Sequence, residues 1–179
     1  MIPPLSHPIL APGAARDLEA SLFAGDEAAE WNAMRRAGRA VGEALLCDIR
    51  ECGGMPVDGR LLVLAGKGHN GGDALLAAQA VLEEFPRARA DVWFFFGERA
   101  LRPLAARAWR ELGHARGARV GRVEGPAGGY DLCLDGVFGF QFRAPAEERV
   151  AVWLDRVNAW PIRLRAAVDL PSAGRFRAD

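Results

Sequence analysis

The chain has 179 residues, half of them apolar, and its 23 basic residues are balanced by 23 acidic ones. A chain of this size and composition can bury the core of one globular domain without disulfides. The balanced charge gives no reason to expect a nucleic-acid partner. Prolines interrupt every apolar run near the N-terminus, so we expect neither a secretory leader nor a membrane span.

The three cysteines, Cys47, Cys52 and Cys133, are odd in number and lie in a predicted helix and a predicted strand. This usage is typical of reduced thiols in a core and not of a disulfide framework. It predicts a cytoplasmic protein.

The first quarter of the chain is predicted to be helical after an extended arm over residues 1–15, with a short helix from Ala14 to Phe23. Asp26 can cap a long amphipathic helix that ends near Cys52, because apolar residues recur near the 3.6-residue period. Gly38 and Gly42 within this helix either allow close packing against another helix or are merely tolerated.

A glycine-rich stretch follows the apolar run 61–65, which has the length of a strand. The stretch is Gly66–Asp73, and an Ala- and Leu-rich helix is predicted over 73–85. Glycines let a backbone approach a ligand closely, and the free amides of a first helical turn attract anions. The stretch is therefore a candidate ligand loop. Lys67, the chain's single lysine, is either a phosphate contact or an exposed turn residue.

Strands and helices alternate along the rest of the chain. The predicted strands are 91–96, 119–123, 130–135 and 166–169, and the predicted helices are 101–113 and 146–159. This alternation predicts an α/β fold, a mainly parallel sheet covered by helices on both faces, preceded by N-terminal helices.

Polar residues cluster at three of the predicted strand ends. Ligands of such sheets bind beyond the carboxyl ends of the strands, where the strand order reverses, so these clusters can converge on one crevice. Each cluster alone has an ordinary explanation, since an Asp such as Asp73 often only caps a helix. The clusters are His69, Asn70 and Asp73, then Asp135, then Asp169 and Ser172.

Four segments in the same order resemble the NAD(P)HX epimerase family, also called the YjeF N-terminal domain family. Gly66–Asp73 is similar to its G-x-G-N-N-G-G-D signature, and Asp135–Phe142 to its D-A-[IL]-F-G-[TF]-x-[LF] segment. Val168–Ser172 resembles [IV]-D-[ILV]-P-S-G, and Met34–Gly38 resembles the M-x-x-A-G helix.

The resemblance implies a three-layer Rossmann-like domain that interconverts the R and S forms of hydrated NADH and NADPH, with a bound potassium ion. It also implies a dehydratase as functional partner, possibly fused downstream. The whole chain, residues 1–179, would be one such domain, with the arm and short helix in residues 1–25. We also expect a homodimer.

The resemblance assigns roles to individual residues. Asp135 would be the acid/base, and Asn70, Asp135 and Ser172 would surround potassium. The residues that would bind substrate are His69, Asn70, Gly71, Gly72, Asp73, Gly139, Phe140, Gln141, Phe142, Arg143 and Asp169. The chemistry agrees, because inverting a carbon that carries a hydroxyl beside a ring nitrogen is a proton-transfer problem, and hard oxygen donors suit an alkali cation.

Some positions depart from the family pattern: His69 replaces Asn, Ala74 replaces Gly and Ala173 replaces Gly. One alternative is therefore a catalytically silent member that binds a nucleotide ligand or another protein. A dehydrogenase is disfavoured, because the dinucleotide fingerprint is missing. The family continues past the P-S-G segment, so we expect either a fragment of a longer protein or a last strand whose edge a partner covers.

Overall fold

The computed structural model of the protein describes residues 10–139, 142 and 146–172. Five helices and five strands form the fold, with single 3-10 turns at Glu98–Ala100 and Gly117–Arg119. The helices are α1 (Pro12–Phe23), α2 (Glu27–Glu51), α3 (His69–Glu84), α4 (Pro103–Arg116) and α5 (Glu148–Ala159). The strands are β1 (Arg60–Ala65), β2 (Arg89–Phe94), β3 (Val120–Val123), β4 (Tyr130–Gly136) and β5 (Ile162–Ala167).

All five strands are parallel and lie in the order β3-β2-β1-β4-β5. The chain thus starts its sheet in the middle, adds β2 and β3 on one side, and then returns to add β4 and β5 on the other. The order reverses between β1 and β4, where Leu64 lies beside Asp135. The ligand crevice of a doubly wound sheet is expected at this reversal.

Helices cover both faces of the sheet, which confirms the predicted α/β class. The larger core joins α2, α3 and α4 to one face through residues such as Leu75, Val81 and Leu112, all fully buried. A smaller core packs α5 on the opposite face through Val150 and Leu154. Both faces of the central strands are therefore apolar, as the uninterrupted run of β1 predicted.

Gly38 and Gly42 allow α2 to pack closely against α3, which decides between the two interpretations of these glycines. A Cβ atom on Gly38 would lie 2.5 Å from the Cβ of Leu76, and one on Gly42 would lie 2.6 Å from the Cβ of Ala80. Real side chains do not come this close, so either substitution would push the helices apart. The predicted cap is also confirmed, because the Asp26 side chain accepts hydrogen bonds from the amides of Ala28 and Ala29.

Most predicted boundaries lie one to three residues from the observed ones; α4, for example, spans Pro103–Arg116 and not 101–113. Three differences bear on the site or on the sheet. α3 begins at His69, four residues earlier than predicted, so Gly71 and Gly72 belong to its first turn. β2 lies two residues earlier than the predicted 91–96. β5 spans Ile162–Ala167, whereas the predicted strand was 166–169. The exposed Arg163 and Arg165 interrupt the apolar residues of this edge strand, so the sequence pattern did not reveal where the strand begins.

The three cysteines are free, as predicted, but only Cys133 is buried, whereas Cys47 and Cys52 are exposed on or next to α2. The expectation of core thiols therefore holds for Cys133 alone. In the described part of the chain, none of the helices combines the length and the apolarity that crossing a bilayer demands.

Candidate functional site

The candidate site lies where the loops that follow β1 and β4 meet. The amide of Gly66 donates to the carbonyl of Gly136 at 3.1 Å, which joins the two loops directly. Gly71, in the first turn of α3, packs so tightly on Gly66 that a Cβ atom would collide with the Gly66 carbonyl oxygen. The glycines of this stretch therefore bring the start of α3 against β1 and β4.

Asp135 is the carboxylate at the centre of this edge. Its Oδ1 accepts from the amide of Val137 at 3.1 Å, and its Oδ2 accepts from the amide of Ser172 at 2.6 Å. Burial raises the pKa of the Asp135 carboxyl above its usual value, and the hydrogen bonds from Ser172 and Val137 offset part of this rise. A partly buried carboxyl with a raised pKa, held by backbone donors, is a typical acid/base candidate.

The peptide groups of Phe138 connect the other predicted residues to Asp135. The side-chain amide of Asn70 donates to the Phe138 carbonyl at 2.9 Å, and the amide of Phe138 donates to the hydroxyl of Ser172 at 2.9 Å. Ser172 is buried. Asn70 and Ser172 thus hold the backbone of the β4 loop from two sides, and both come within reach of the space beside Asp135.

Asp169 completes this group from the end of β5. A Cβ atom on Gly139 would lie 2.8 Å from Oδ2 of Asp169 and would collide with the side-chain amide of Asn70. Glycine is therefore the only residue type at position 139 that leaves the side chains of Asn70 and Asp169 in place. The structure brings together Asn70, Asp135, Gly139, Asp169 and Ser172, as the convergence of three strand ends predicts.

His69 is directed away from this group. Its Nε2 lies 3.2 Å from a carboxylate oxygen of Glu30 on α2, and the histidine side chain is half exposed. Gly72 packs against Met34 of α2, whose sulfur would lie 2.9 Å from an added Cβ. The substrate contacts assigned to His69 and Gly72 stay predictions.

Asp73 lies on the first turns of α3 with an unusual carboxyl. Its Oδ1 is buried and has no hydrogen-bond partner among the described residues. Burial and, to a smaller extent, the negative charge of Glu19 on α1 together raise the pKa of Asp73 from 3.8 to about 7. The interpretation of Asp73 as an N-terminal cap does not hold, because α3 begins four residues earlier and no side chain caps it.

The remaining predicted residues follow β4 in the sequence. Phe142 stacks on Phe138 with ring centroids 4.0 Å apart. Phe140, Gln141 and Arg143 lie outside the described residues, so their assigned contacts with substrate stay predictions.

Sequence reasoning missed two neighbours of the site, Phe96 and Glu19. The Phe96 ring lies 6.2 Å from that of Phe138 and extends the aromatic wall toward β2. Its position directly after an apolar strand was the available signal. Glu19 gave no signal, because its effect on Asp73 depends on how α1 packs.

The donor set beside Asp135 consists of oxygen atoms. Asn70 uses its amide nitrogen for Phe138, which leaves its carbonyl oxygen available, and Ser172 and Asp135 add a hydroxyl and a carboxylate. Hard oxygen donors of this kind fit an alkali or alkaline-earth cation better than a transition metal. No group of three or more His, Cys, Asp and Glu side chains suited to a metal occurs in the described ranges.

The fold and this edge define an α/β protein with a partly buried carboxylate at the reversal of its strand order, the position where such sheets bind ligands. The model of the YjeF-related protein N-terminus family matches residues 31–174. The chain belongs to this family.

Similar proteins support the same assignment. A bifunctional NAD(P)H-hydrate repair enzyme, Nnr, of Gloeobacter violaceus is 40% identical over 160 residues, which cover 88% of this chain and 29% of the relative. An NAD(P)H-hydrate epimerase of Bordetella pertussis is 34% identical over 139 residues, covering 78% of this chain and 56% of that enzyme. The chain thus spans from under a third to just over half of the length of these two relatives.

A solved structure agrees on the fold. The crystal structure of yeast ynu0, YNL200c, aligns with a TM-score of 0.67 over 93% of this chain and 71% of that chain, at 19% sequence identity.

Proposed function

We propose that the chain epimerises hydrated NADH and NADPH, with Asp135 as the acid/base. The observation that carries this proposal is the Asp135 carboxyl, partly buried at the β1/β4 reversal and held by backbone donors on both oxygens. Membership of the YjeF-related family and the names of relatives such as the Bordetella pertussis epimerase support the choice of substrate.

The reaction needs a group that gives and takes a proton. In the hydrate, the reacting carbon bears a hydroxyl and is bonded to the ring nitrogen. Inversion requires either reversible loss of water or reversible opening of the carbon–nitrogen bond. In the first route the acid protonates the hydroxyl, which leaves as water, and the carboxylate then takes a proton from the water that adds to the other face of the C=N bond. In the second route the carboxylate takes the hydroxyl proton, a carbonyl forms, and the electron pair of the carbon–nitrogen bond goes to the ring nitrogen. Ring closure on the other face then returns the proton to the oxygen. A carboxyl whose pKa is raised above its usual value serves both routes, because it can give as well as take a proton.

The backbone bonds to Asp135 orient its carboxylate. With Oδ1 held by Val137 and Oδ2 by Ser172, the carboxylate plane cannot rotate freely, and each oxygen keeps a further lone pair for a ligand. Asn70, Gly139 and Asp169 lie close together and are proposed to bind the substrate. Gly71, Asp73 and Phe142 are proposed to contribute as well. We propose that the hydrated ring lies beside the polar groups of Asn70 and Asp169, which the missing side chain of Gly139 leaves in place.

A potassium ion fits the oxygen atoms of Asn70, Asp135 and Ser172, and we assign these three residues to hold it. When bound, the cation supplies positive charge that favours the ionised form of a neighbouring carboxylate. The residues themselves supply the orientation, since Ser172 contacts both Asp135 and the Phe138 amide.

Potassium is expected to raise the melting temperature of the protein by about 3 °C or more, relative to tetramethylammonium chloride of the same ionic strength. A ligand at about ten times its dissociation constant adds about 1.4 kcal/mol, and each kcal/mol shifts the melting temperature of such a domain by about 2–4 °C. Scanning calorimetry measures the shift. The variant Ser172→Ala should lose most of it, and Ser21→Ala, an exposed serine on α1, should keep it. An equal melting temperature in both salts would remove potassium from the account.

A silent binding module is the second candidate function. The observation that favours it is His69, which stands at a substrate-binding position of the family and is paired with Glu30. The two functions differ in one experiment. Chromatographic separation of the epimers after incubation of a single epimer with the protein detects turnover, whereas a silent module binds the ligand and leaves the epimer ratio unchanged.

The partners are also proposed. The bifunctional Gloeobacter violaceus relative is more than three times as long as the region it shares with this chain, which fits a second repair activity on the same polypeptide. We propose an NAD(P)HX dehydratase as functional partner. β5 is an edge of the described sheet, and an edge strand offers unpaired backbone groups for a second copy of the chain, which supports a homodimer.

A further inference from the structure

Two cationic side chains flank the loop between β1 and α3. Lys67 is exposed in this loop, and Arg102 is the exposed residue that precedes α4. The backbone holds them together, because the amide of Arg102 donates to the carbonyl of Lys67 at 2.8 Å. The guanidinium of Arg102 also reaches to 4.0 Å from the Cβ position of Gly68, beside the start of α3.

Neither cation has an acidic partner in the part of the chain that the structure describes. Among the described residues, no carboxylate forms an ion pair with Lys67 or Arg102, although Arg60, Arg87 and Arg116 each have an acidic partner. Two uncompensated positive charges beside one loop make this edge of the crevice attractive to an anion.

Aromatic rings link Lys67 to the loop of Asp135. The ammonium nitrogen of Lys67 lies 5.4 Å from the centroid of the Phe96 ring, within the range of a cation–π contact. Phe96 lies 6.2 Å from Phe138, which in turn stacks on Phe142. The rings form a continuous wall from β2 to β4 and limit where the lysine can point.

The strand spacing separates the cations from the Asp135 carboxyl by a distance that a dinucleotide can span. Neighbouring strands are about 4.8 Å apart, so the end of β2, two strands from β4, is roughly 10 Å from the end that carries Asp135. A dinucleotide has its phosphate groups away from the reacting nicotinamide ring. Such a ligand can place the ring at Asp135 and a phosphate near the cations.

We propose that Lys67 and Arg102 contact a phosphate group of the dinucleotide, so that the phosphate arm lies over the ends of β1 and β2. The hydrated ring then lies over β4 and β5. This inference rests on the proposed function for the choice of ligand, and it sets the direction in which the substrate crosses the sheet.

Calorimetric titration with ADP-ribose, which lacks the nicotinamide ring, tests the proposal at low salt. Lys67→Ala and Arg102→Ala are each expected to weaken binding roughly 10-fold, the effect of losing one charge-assisted hydrogen bond, and the loss should shrink as salt rises. Lys67→Arg, which keeps the charge, should retain most of the affinity. Arg110→Ala, at an exposed arginine farther along α4, is the matched control and should bind like the parent.

A second ligand, ADP-ribose with a 2′-phosphate, identifies the phosphate. If the cations contact the diphosphate, the two alanine variants lose affinity for both ligands equally. If they contact the 2′-phosphate, only the second ligand is affected. Parent-like affinity of both variants for both ligands, or an equal loss in Arg110→Ala, would overturn the proposal.

Epimerisation measured on the same samples keeps this inference separate from the proposed function. If the parent chain epimerises the hydrate and its affinity for ADP-ribose does not depend on Lys67 or Arg102, the phosphate contact alone is contradicted. If the parent chain does not epimerise the hydrate and both variants bind ADP-ribose more weakly than the parent, the proposed function alone is contradicted.

Discussion

Replacing Asp135 with asparagine is expected to slow the interconversion of the R and S hydrates at least 100-fold while leaving the chain folded. General acid–base catalysis by a positioned side chain typically contributes 10² to 10⁴-fold, and an amide cannot carry the proton. The amide keeps the shape of the carboxyl and one oxygen acceptor, so one of the two backbone donors, Val137 or Ser172, stays paired. The rate of epimer interconversion and the circular dichroism spectrum together measure the effect.

Asp131→Asn is the matched control for Asp135→Asn. Asp131 lies on the same strand, near its opposite end, and its Oδ2 accepts from the amide of Arg60 at 2.9 Å. This variant removes a carboxylate with a comparable structural bond and should keep the parental rate. Equal rates for Asp135→Asn and the parent would remove Asp135 from the mechanism.

Replacing Asp73 with asparagine is expected to stabilise the protein at pH 8, relative to the parent, but not at pH 4. The folded pKa of Asp73, about 7, lies above its ordinary 3.8. Between these values the unfolded chain ionises while the folded one stays protonated, so the parent's free energy of unfolding falls as pH rises from about 4 to 7. The full cost, roughly 4 kcal/mol, is present above pH 7. Asparagine does not ionise, so the variant does not carry this cost in the free energy of unfolding.

Urea unfolding of both chains across pH 4 to 8 measures this difference. The amide of the variant has its own hydrogen-bonding needs, and these add an offset that does not change with pH. The informative quantity is therefore the slope of the stability difference between pH 4 and 7. Glu19→Gln should reduce this slope, because Glu19 contributes to the raised pKa. Asp48→Asn, at an exposed carboxyl on α2, controls for the loss of a charge. A stability difference that is constant over the range would contradict the buried position of the Asp73 carboxyl.

The sequence predicts the fold well where burial is uniform. β1 is an unbroken apolar run and was placed within one residue, because a central strand of a parallel sheet is buried on both faces. The bounds of β5 were mispredicted because it is an edge strand with two exposed arginines, Arg163 and Arg165. Their guanidinium groups donate to the carbonyls of Cys52 and Val157, contacts that only the folded chain provides. Local pattern cannot distinguish such a strand from a polar loop.

The sequence predicts which polar groups meet at this edge of the sheet, whereas their roles stay predictions. Asn70, Asp135 and Ser172 lie close together, as expected for residues that follow neighbouring strand ends. The start of α3 at His69 was missed, since glycines are poor helix formers and only tight packing on Gly66 explains them in a first turn. The environment of Asp73 was also missed, because its raised pKa comes from burial and from Glu19 on a distant segment of the chain.

The departures from the family motif have different consequences. Ala74 faces β4, where its Cβ would lie 2.7 Å from a Cβ added at Gly136, so a methyl group is accommodated only because position 136 is glycine. His69 finds its own partner in Glu30. Ala173 lies outside the described residues. Neither of the first two changes alters the contacts of Asp135.

The most direct test of the central proposal is the rate at which the purified chain converts one epimer of hydrated NADPH into the other. Proton NMR follows both epimers in a single sample, starting from the R form, with and without protein. The proposal predicts an approach to the equilibrium ratio whose rate rises in proportion to the concentration of the parent chain and is at least 100-fold slower with Asp135→Asn. A parent rate equal to that of buffer alone, for the hydrates of both NADH and NADPH, would contradict it.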